Sequence, residues 1–258
     1  MSDDRTKPRD LRTGQDGGTG EGAVARGRDN APGEARRNSV DAFLRQVASL
    51  PSVHTDSGQG RLIFALDATM SRQPTWDQAM EIQVQMFKEA DSLGGLKIQL
   101  VYFRGFGEFY ATSWFARSTD LVEKMAGVQC RGGQTQIERV LRHARAEAKT
   151  SRVAALVYVG DCIEEDPDLL CRLAGELGVQ GVRAFVFQEG DRADAAAAFS
   201  EIARLTGGAY CRFDAGSARQ LRELLAAVAV YAAGGRKALQ DYSRKKGGEA
   251  IKLLGQIR

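Results

Sequence analysis

Long apolar runs are missing from this sequence. None approaches the roughly 20 residues that a membrane-spanning helix needs. The first residues, MSDDRTKPRDLRTG, also lack the apolar centre of a secretory signal. We therefore expect a cytoplasmic protein, and membrane contact is not the favoured role of any part of it.

Soft metal ligands are scarce and poorly spaced. No Cys-x-x-Cys pair occurs, and the chain has only two histidines, His54 and His143. Both facts argue against a structural zinc site, which needs closely spaced cysteines and histidines. We expect reduced thiols at buried or partly buried positions for the four cysteines, which are Cys130, Cys162, Cys171 and Cys211.

A strong excess of one charge is also absent, since the net charge is only +3. The basic excess is confined to residues 236–258, which hold seven basic and two acidic side chains, and the rest of the chain is slightly acidic. We therefore expect no nucleic acid on the main body. Three roles stay open for the basic segment: a solvated tail, a segment that docks on a partner, and membrane contact as the least favoured.

The chain divides into four parts. Residues 1–38 contain almost no large apolar side chain, so they cannot bury enough surface to offset the entropy lost on ordering. We predict a disordered N-terminal tail there. A helix and linker at 39–59, the main domain at 60–233 and a basic C-terminal tail at 234–258 follow.

Short apolar runs alternate with amphipathic patterns from residue 60 onward. The runs predict buried parallel strands at 62–66, 98–103, 153–159 and 184–187. The amphipathic patterns predict helices near 76–93, 136–149, 167–177, 192–205 and 218–233. Residues 108–115 follow a glycine-containing turn and predict an antiparallel strand at the sheet edge. The expected fold is therefore α/β, with a mainly parallel sheet, helices on both faces and one antiparallel edge strand.

Oxygen-bearing side chains cluster where the predicted strands end. The first strand ends in Asp67, with Thr69 and Ser71 at alternate positions after it. Thr135 follows Gly132-Gly133 before a helix, and Asp161 follows the strand that ends near Val159. Ligands bind beyond the carboxyl ends of strands in open α/β sheets. Carboxylates and hydroxyls with no soft ligand nearby favour a hard cation, such as Mg²⁺ or Mn²⁺.

This pattern resembles the metal-ion-dependent adhesion site of von Willebrand factor A domains, and the chain looks like the bacterial intracellular type of that family. The resemblance covers about residues 60–232 and includes Leu205-Thr206-Gly207-Gly208 before a short strand. It implies that Ser71, Thr69 and Thr135 reach the metal with their hydroxyls. It implies further that Asp67 and Asp161 act mainly through bound water. Thr69 stands where the family pattern has its first serine, and it keeps the hydroxyl.

Each part of this pattern also has a plainer interpretation. Thr135-x-x-Glu138 matches a capping box that would begin the next helix. The acidic residues after Asp161 are interpreted as a solvated helix start rather than an acidic rim; they are Glu164, Glu165, Asp166 and Asp168. Asp166-Pro167 gives that helix its own start signal, with Asp166 as the cap and Pro167 at the first helical position. Trp76 is a candidate surface anchor for a partner, although packing against the sheet is the favoured alternative.

The resemblance favours a non-enzymatic module whose metal bridges to an acidic side chain of a protein partner, either alone or as a subunit of a larger assembly. No nucleophile is paired with a general base in the sequence, and no phosphate-binding loop is present. The alternative is a Mg²⁺-dependent phosphatase or phosphotransferase with Asp67 as nucleophile. That class usually carries a second carboxylate two residues later, where this chain has Thr69. The sequence indicates neither the partner's identity nor the oligomeric state.

Deletion of residues 1–36 is expected to leave the melting temperature nearly unchanged, because this segment has almost no apolar side chain to pack on the domain. Differential scanning calorimetry on the full and shortened chains measures the effect. A loss of several degrees would contradict the prediction.

Overall fold

The computed structural model describes residues 60–77, 96–213 and 226–234, and ten single residues at 42, 45, 46, 80, 84, 223, 237, 238, 241 and 242. The predicted N-terminal tail, the predicted C-terminal tail beyond 242, most of the helix and linker predicted at 39–59, and most of the helix predicted near 76–93 lie outside the described residues. No helix among the residues that the structure describes is long and apolar enough to cross a membrane.

The described residues form a six-stranded sheet and its flanking helices. The strands are β1 (Gly60–Asp67), β2 (Leu96–Arg104), β3 (Glu108–Phe115), β4 (Ala155–Gly160), β5 (Arg183–Glu189) and β6 (Ala209–Phe213). The helices are α1 (Ser118–Ala126), α2 (Ile137–Thr150), α3 (Pro167–Val179) and α4 (Ala193–Leu205), with a 3₁₀ helix at Met70–Thr75 and a helical segment at 226–234.

The strand order is β3-β2-β1-β4-β5-β6. All neighbouring strands pair in parallel except β2 and β3, which form an antiparallel pair at one edge. This arrangement confirms the predicted fold class, including the antiparallel edge strand at 108–115. The strand order also places β1 and β4, whose ends carry the predicted metal ligands, side by side in the middle of the sheet.

Both faces of the central strands are buried. Successive side chains of each strand point to opposite faces, so each strand contributes to both cores. In β1, Leu62, Phe64 and Leu66 pack with the helical segment 226–234 on one face. Ile63 and Ala65 pack with α2, α3 and α4 on the other face. Continuous apolar runs are the signature of strands covered on both sides, and this explains why the central strands are recognisable in the sequence.

Helix α3 is recognisable in the sequence, whereas helix α1 is not. The predicted start of α3 is confirmed: Asp166 is its N-cap, its side chain accepts a hydrogen bond of 3.0 Å from the Asp168 amide, and Pro167 stands at the first helical position. Helix α1 was not predicted. It buries only Leu121 and Met125, so its apolar pattern is too short to stand out from a loop.

Arg72 joins the 3₁₀ helix to the carboxyl ends of three strands. It is 1% exposed, and its Nε donates to Glu189 Oε2 at the end of β5 over 2.9 Å. Its Nη1 donates to the backbone oxygens of Asp67 and Val159 at 3.3 and 3.2 Å. One guanidinium therefore holds the turn after β1 against β4 and β5, and sequence analysis gave no sign of this role.

Replacement of Arg72 by Met is expected to lower the free energy of unfolding by about 3–5 kcal/mol, because it leaves the Glu189 carboxylate buried without its partner. The side chains of this pair are 0% and 11% exposed. Urea denaturation measures the loss, and the double variant Arg72→Met/Glu189→Gln should recover part of it. The exposed Arg204–Glu201 pair provides the control: Arg204→Met should change stability little. Equal losses for both single variants would contradict the prediction.

Gly208 stands where two backbones come close. A Cβ at this position would overlap the carbonyl of Ala184 in β5. The neighbouring Thr206 is also tied to β5, since its hydroxyl accepts a 3.0 Å hydrogen bond from the Ala184 amide. The Thr206-Gly207-Gly208 turn thereby sets how closely the end of α4 approaches the sheet before β6 begins.

Gly208→Ala is expected to lower the free energy of unfolding by about 2–3 kcal/mol, because a strand backbone has to move to make room for the methyl group. Gly175→Ala provides the control, since a Cβ at Gly175 within α3 would meet no atom. Alanine favours the helix there by up to about 1 kcal/mol, so this variant should be slightly more stable than the native chain. Chemical denaturation that ranks the two variants the other way would contradict this account of the turn.

Candidate metal centre

The carboxyl ends of β1 and β4 form the candidate site. Leu66 lies opposite Val159 in the parallel register, so Asp67 and Asp161 emerge from the sheet as neighbours. One carboxylate oxygen from each of them and the Sγ of Cys162 all lie within 4.8 Å of one another. The structure thus brings together the two acidic residues that the sequence pattern singled out, and it adds a thiol.

Asp67 is completely buried and only partly satisfied. Its Oδ1 accepts a 2.8 Å hydrogen bond from the Thr69 amide, but its Oδ2 has no hydrogen-bond partner. Burial raises the pKa of the Asp67 carboxyl to about 6. The hydrogen bonds from Thr69 and the positive charge of Arg72 oppose this shift, whereas the Asp161 charge adds to it. Such a carboxylate is costly to keep ionised without a positive partner.

Asp161 repeats this situation on the neighbouring strand, because its Oδ1 is also buried without a hydrogen-bond partner. Native proteins rarely leave buried polar atoms unpaired, and a bound ion is one of the ordinary explanations. Two unpaired carboxylate oxygens at the same strand edge fit a divalent cation between them. On this test the acidic residues suit the metal that the resemblance implies.

The two hydroxyls after β1 lie beside each other. Thr69 Oγ1 and Ser71 Oγ are 3.0 Å apart, with Thr69 4% exposed and Ser71 exposed. Thr69 has an extended backbone, and its carbonyl accepts the Arg72 amide as the 3₁₀ helix begins. The tight turn therefore holds both hydroxyl oxygens next to the residue that carries the buried carboxylate.

Thr135 is buried on a loop that packs against the Asp67 loop, since the Arg131 amide donates to the Ala68 carbonyl at 3.0 Å. Its hydroxyl donates to Glu165 Oε2 and accepts the Glu164 amide at 3.0 Å. A threonine hydroxyl has one proton and two lone pairs, so one lone pair stays free in this arrangement. Among the described residues, no hydrogen bond joins Thr135 directly to Asp67 or Asp161.

The capping-box interpretation of Thr135 is wrong. Gln136 is the N-cap of α2 and makes no side-chain cap, and the amides of Ile137 and Glu138 instead donate to Glu165 Oε1. The interpretation of the four acidic residues after Asp161 as a solvated helix start is confirmed for Asp166 and Asp168, which are exposed at the start of α3. It is wrong for Glu164 and Glu165, which precede α3 and accept hydrogen bonds from the Thr135 loop and the start of α2. Their carboxylates satisfy backbone amides of another helix nearly 30 residues away, a contact that local sequence patterns do not reveal.

Cys162 corrects a second expectation. The mutual spacing of the cysteines gives no sign of a soft ligand near the site, and the sequence pattern therefore predicts oxygen ligands only. The Cys162 thiol in fact joins the cluster, and burial, followed by the charges of Asp161 and Asp67, raises its pKa to about 12. Its position directly after Asp161 was the available signal, since a residue next to a ligand at a strand end can share the site.

Two other side chains, Trp76 and His143, pack within the fold and serve neither as a ligand nor as a surface anchor. Trp76 is 5% exposed, and its Nε1 donates to the Val128 carbonyl at 3.2 Å, so it packs in the core and the surface-anchor interpretation is wrong. His143 on α2 is within hydrogen-bond distance of Gln99 on β2, at 2.8 Å. Its ring is thus committed to a contact on the face of the sheet.

Comparison with known proteins supports the fold. No protein-family model and no curated protein matches this sequence. Among solved structures, the chain is similar to a von Willebrand factor type A protein from Catenulispora acidiphila, with 18% identity and a TM-score of 0.55. That alignment covers 67% of this chain and 43% of the other, so the chain spans less than half of that protein's length.

Two further structures give the same result. The von Willebrand A domain of SpRpn10 aligns with 12% identity and a TM-score of 0.54, over 65% of this chain and 94% of the other. Proximal thread matrix protein 1 from the mussel byssus, solved with a zinc-occupied metal-ion-dependent adhesion site, aligns with 16% identity and a TM-score of 0.53, over 66% and 48%. The described part of this chain therefore has the fold of a von Willebrand factor A domain.

Proposed function

We propose that this protein is a divalent-metal-dependent protein-binding module without an enzymatic activity of its own. The observation that carries the proposal is the pair of buried, unpaired carboxylate oxygens, Asp67 Oδ2 and Asp161 Oδ1, at adjacent strand ends. A divalent cation, together with the water molecules that it holds, would supply the missing partner of both. The mussel protein with an occupied adhesion site has the same fold, which supports a metal at this place.

Five residues would hold the metal in this proposal. Thr69 and Ser71 offer neighbouring hydroxyl oxygens, and Thr135 keeps one lone pair free. Asp67 and Asp161 supply negative charge, mainly through bound water. These oxygen donors suit Mg²⁺ or Mn²⁺. When bound, the metal would act as a bridge, with one coordination position left for a carboxylate of the partner.

Exposed apolar side chains on the same edge of the sheet support a protein partner. Met70, between the two hydroxyl residues, is 51% exposed, and Phe106 in the β2–β3 turn is 83% exposed. The β2–β3 turn contacts the Thr135 loop, because the Gln134 amide donates to the Gly105 carbonyl. Large exposed apolar groups are typical anchors of interfaces. We therefore expect a partner that combines an acidic side chain with apolar contacts and that binds this chain either alone or within a larger assembly.

The phosphotransferase alternative gains no support from the described residues. Asp67 is completely buried, and Thr69 occupies the place of the second carboxylate. The Thr69 amide also holds the Asp67 carboxylate by its Oδ1. A nucleophile needs an accessible oxygen, and the Asp67 side chain has none, since it is 0% exposed.

Asp67→Asn is expected to weaken Mg²⁺ binding by at least about tenfold, because it removes one of the two charges at the site. Isothermal titration calorimetry on the full chain measures the affinity and should give one site per native chain. Glu123→Gln is the control. It removes one negative charge from an exposed position of α1, and it should bind Mg²⁺ like the native protein.

Thermal stability with and without Mg²⁺ shows whether Asp67 serves to bind metal or to hold the fold together. Without metal, Asp67→Asn should be at least as stable as the native chain, because the variant no longer buries an unpaired charge. With Mg²⁺, the native melting temperature should rise and that of the variant should rise much less, since bound ligand stabilises the folded state. Native-like Mg²⁺ affinity in Asp67→Asn would contradict the proposal.

A further inference from the structure

The thiol of Cys162 has no role in the oxygen-donor site just described. Its Sγ nevertheless belongs to the group whose ligand atoms all lie within 4.8 Å of one another, with Asp67 and Asp161 as the other members. Cys162 is half-buried and forms no disulfide, and its thiol is hydrogen-bonded to the Asp161 side chain. A metal ion can take the place of that thiol proton, because the thiolate is the form that binds metals.

A second observation indicates that this group faces a ligand. Asp67 is 0% exposed, and its Oδ2 has no hydrogen-bond partner. Asp161 Oδ1 is buried and unpaired as well. The sulfur therefore lies beside two carboxylates that each have a buried oxygen without a hydrogen-bond partner. It does not lie alone on the surface.

The donor set differs in kind from an all-oxygen site. Two carboxylate oxygens and one sulfur match the preferences of borderline cations such as Zn²⁺. Mg²⁺ takes oxygen ligands and gains little from sulfur. One added thiolate therefore changes which ion the same place in the fold prefers.

We propose that Cys162 is a direct ligand of the metal held between Asp67 and Asp161, and that it makes the site selective for Zn²⁺ over Mg²⁺. On binding, the thiol releases its proton to the solvent, and the sulfur donates an electron pair to the metal. The inference rests on the proposed metal site but specifies its selectivity.

Binding of Zn²⁺, Co²⁺ and Mg²⁺ to the full chain tests this inference, with Cys162→Ser as the variant. The loss of sulfur should weaken Zn²⁺ binding by at least about tenfold and change Mg²⁺ binding by less than about threefold. Co²⁺ provides the direct readout, because a cobalt–thiolate bond adds charge-transfer absorption in the near ultraviolet. That absorption should appear in the native chain and vanish in Cys162→Ser.

Two further variants locate the metal. Cys171→Ser changes a half-buried cysteine in α3 and should keep both the absorption and the Zn²⁺ affinity. Asp67→Asn should weaken Zn²⁺ and Co²⁺ binding together. Retained circular dichroism and cooperative melting establish that each variant is folded, and Cys162→Ala provides a second substitution if the serine variant does not fold.

The outcomes separate this inference from the proposed function. If the native chain binds Co²⁺ without thiolate absorption, or if Cys162→Ser keeps native Zn²⁺ affinity, the sulfur is no ligand, while the oxygen site stands. If Asp67→Asn keeps both Zn²⁺ affinity and absorption, the thiolate site is elsewhere and the inference is wrong. If the native chain binds none of the three ions, both proposals fail.

Discussion

Parallel pairing of β1 with β4 places two acidic strand ends side by side. Because Leu66 lies opposite Val159, the chain reaches Asp67 and Asp161 at the same edge of the sheet, and one carboxylate oxygen of each lies within 4.8 Å of the other. Both carry a buried oxygen without a hydrogen-bond partner. Like charges that are removed from water repel each other strongly, so this one pairing creates a need for positive charge at a single point of the sheet edge.

The surrounding residues meet this need only in part. Arg72 lies close by, but its Nε is paired with Glu189, and its Nη1 contacts backbone oxygens of β1 and β4. When Asp67 and Asp161 are ionised, these three carboxylates and one guanidinium leave two negative charges. One divalent cation neutralises that excess. The charge of these four side chains therefore fits the divalent cation of the proposed function.

The parts of this picture that the sequence predicts are those that depend on short stretches of chain. Continuous apolar runs reveal the central strands, and Asp166-Pro167 reveals the start of α3. Asp67 and Asp161 are recognisable because each directly follows a recognisable strand. Comparison with solved structures confirms the fold that these patterns predict.

The parts that the sequence does not predict depend on contacts between distant residues. Arg72 reaches Glu189, 117 residues away, and Glu165 caps a helix that begins 28 residues earlier. No propensity or spacing rule encodes such contacts. Cys162 is a different case, because its place beside Asp161 was visible, but cysteines were assessed by their mutual spacing and not by their neighbours.

The backbone amides at the start of α2 are already hydrogen-bonded and cannot bind an acidic group of a partner at this face. A helix start normally attracts anions through its free amides. Here the amides of Thr135, Ile137 and Glu138 already donate to Glu164 and Glu165. An incoming carboxylate finds these three donors taken and meets two resident negative charges instead. Under the proposed function, the cation therefore supplies an attraction for the partner's carboxylate that the start of α2 does not, and its removal leaves the resident carboxylates to repel that group.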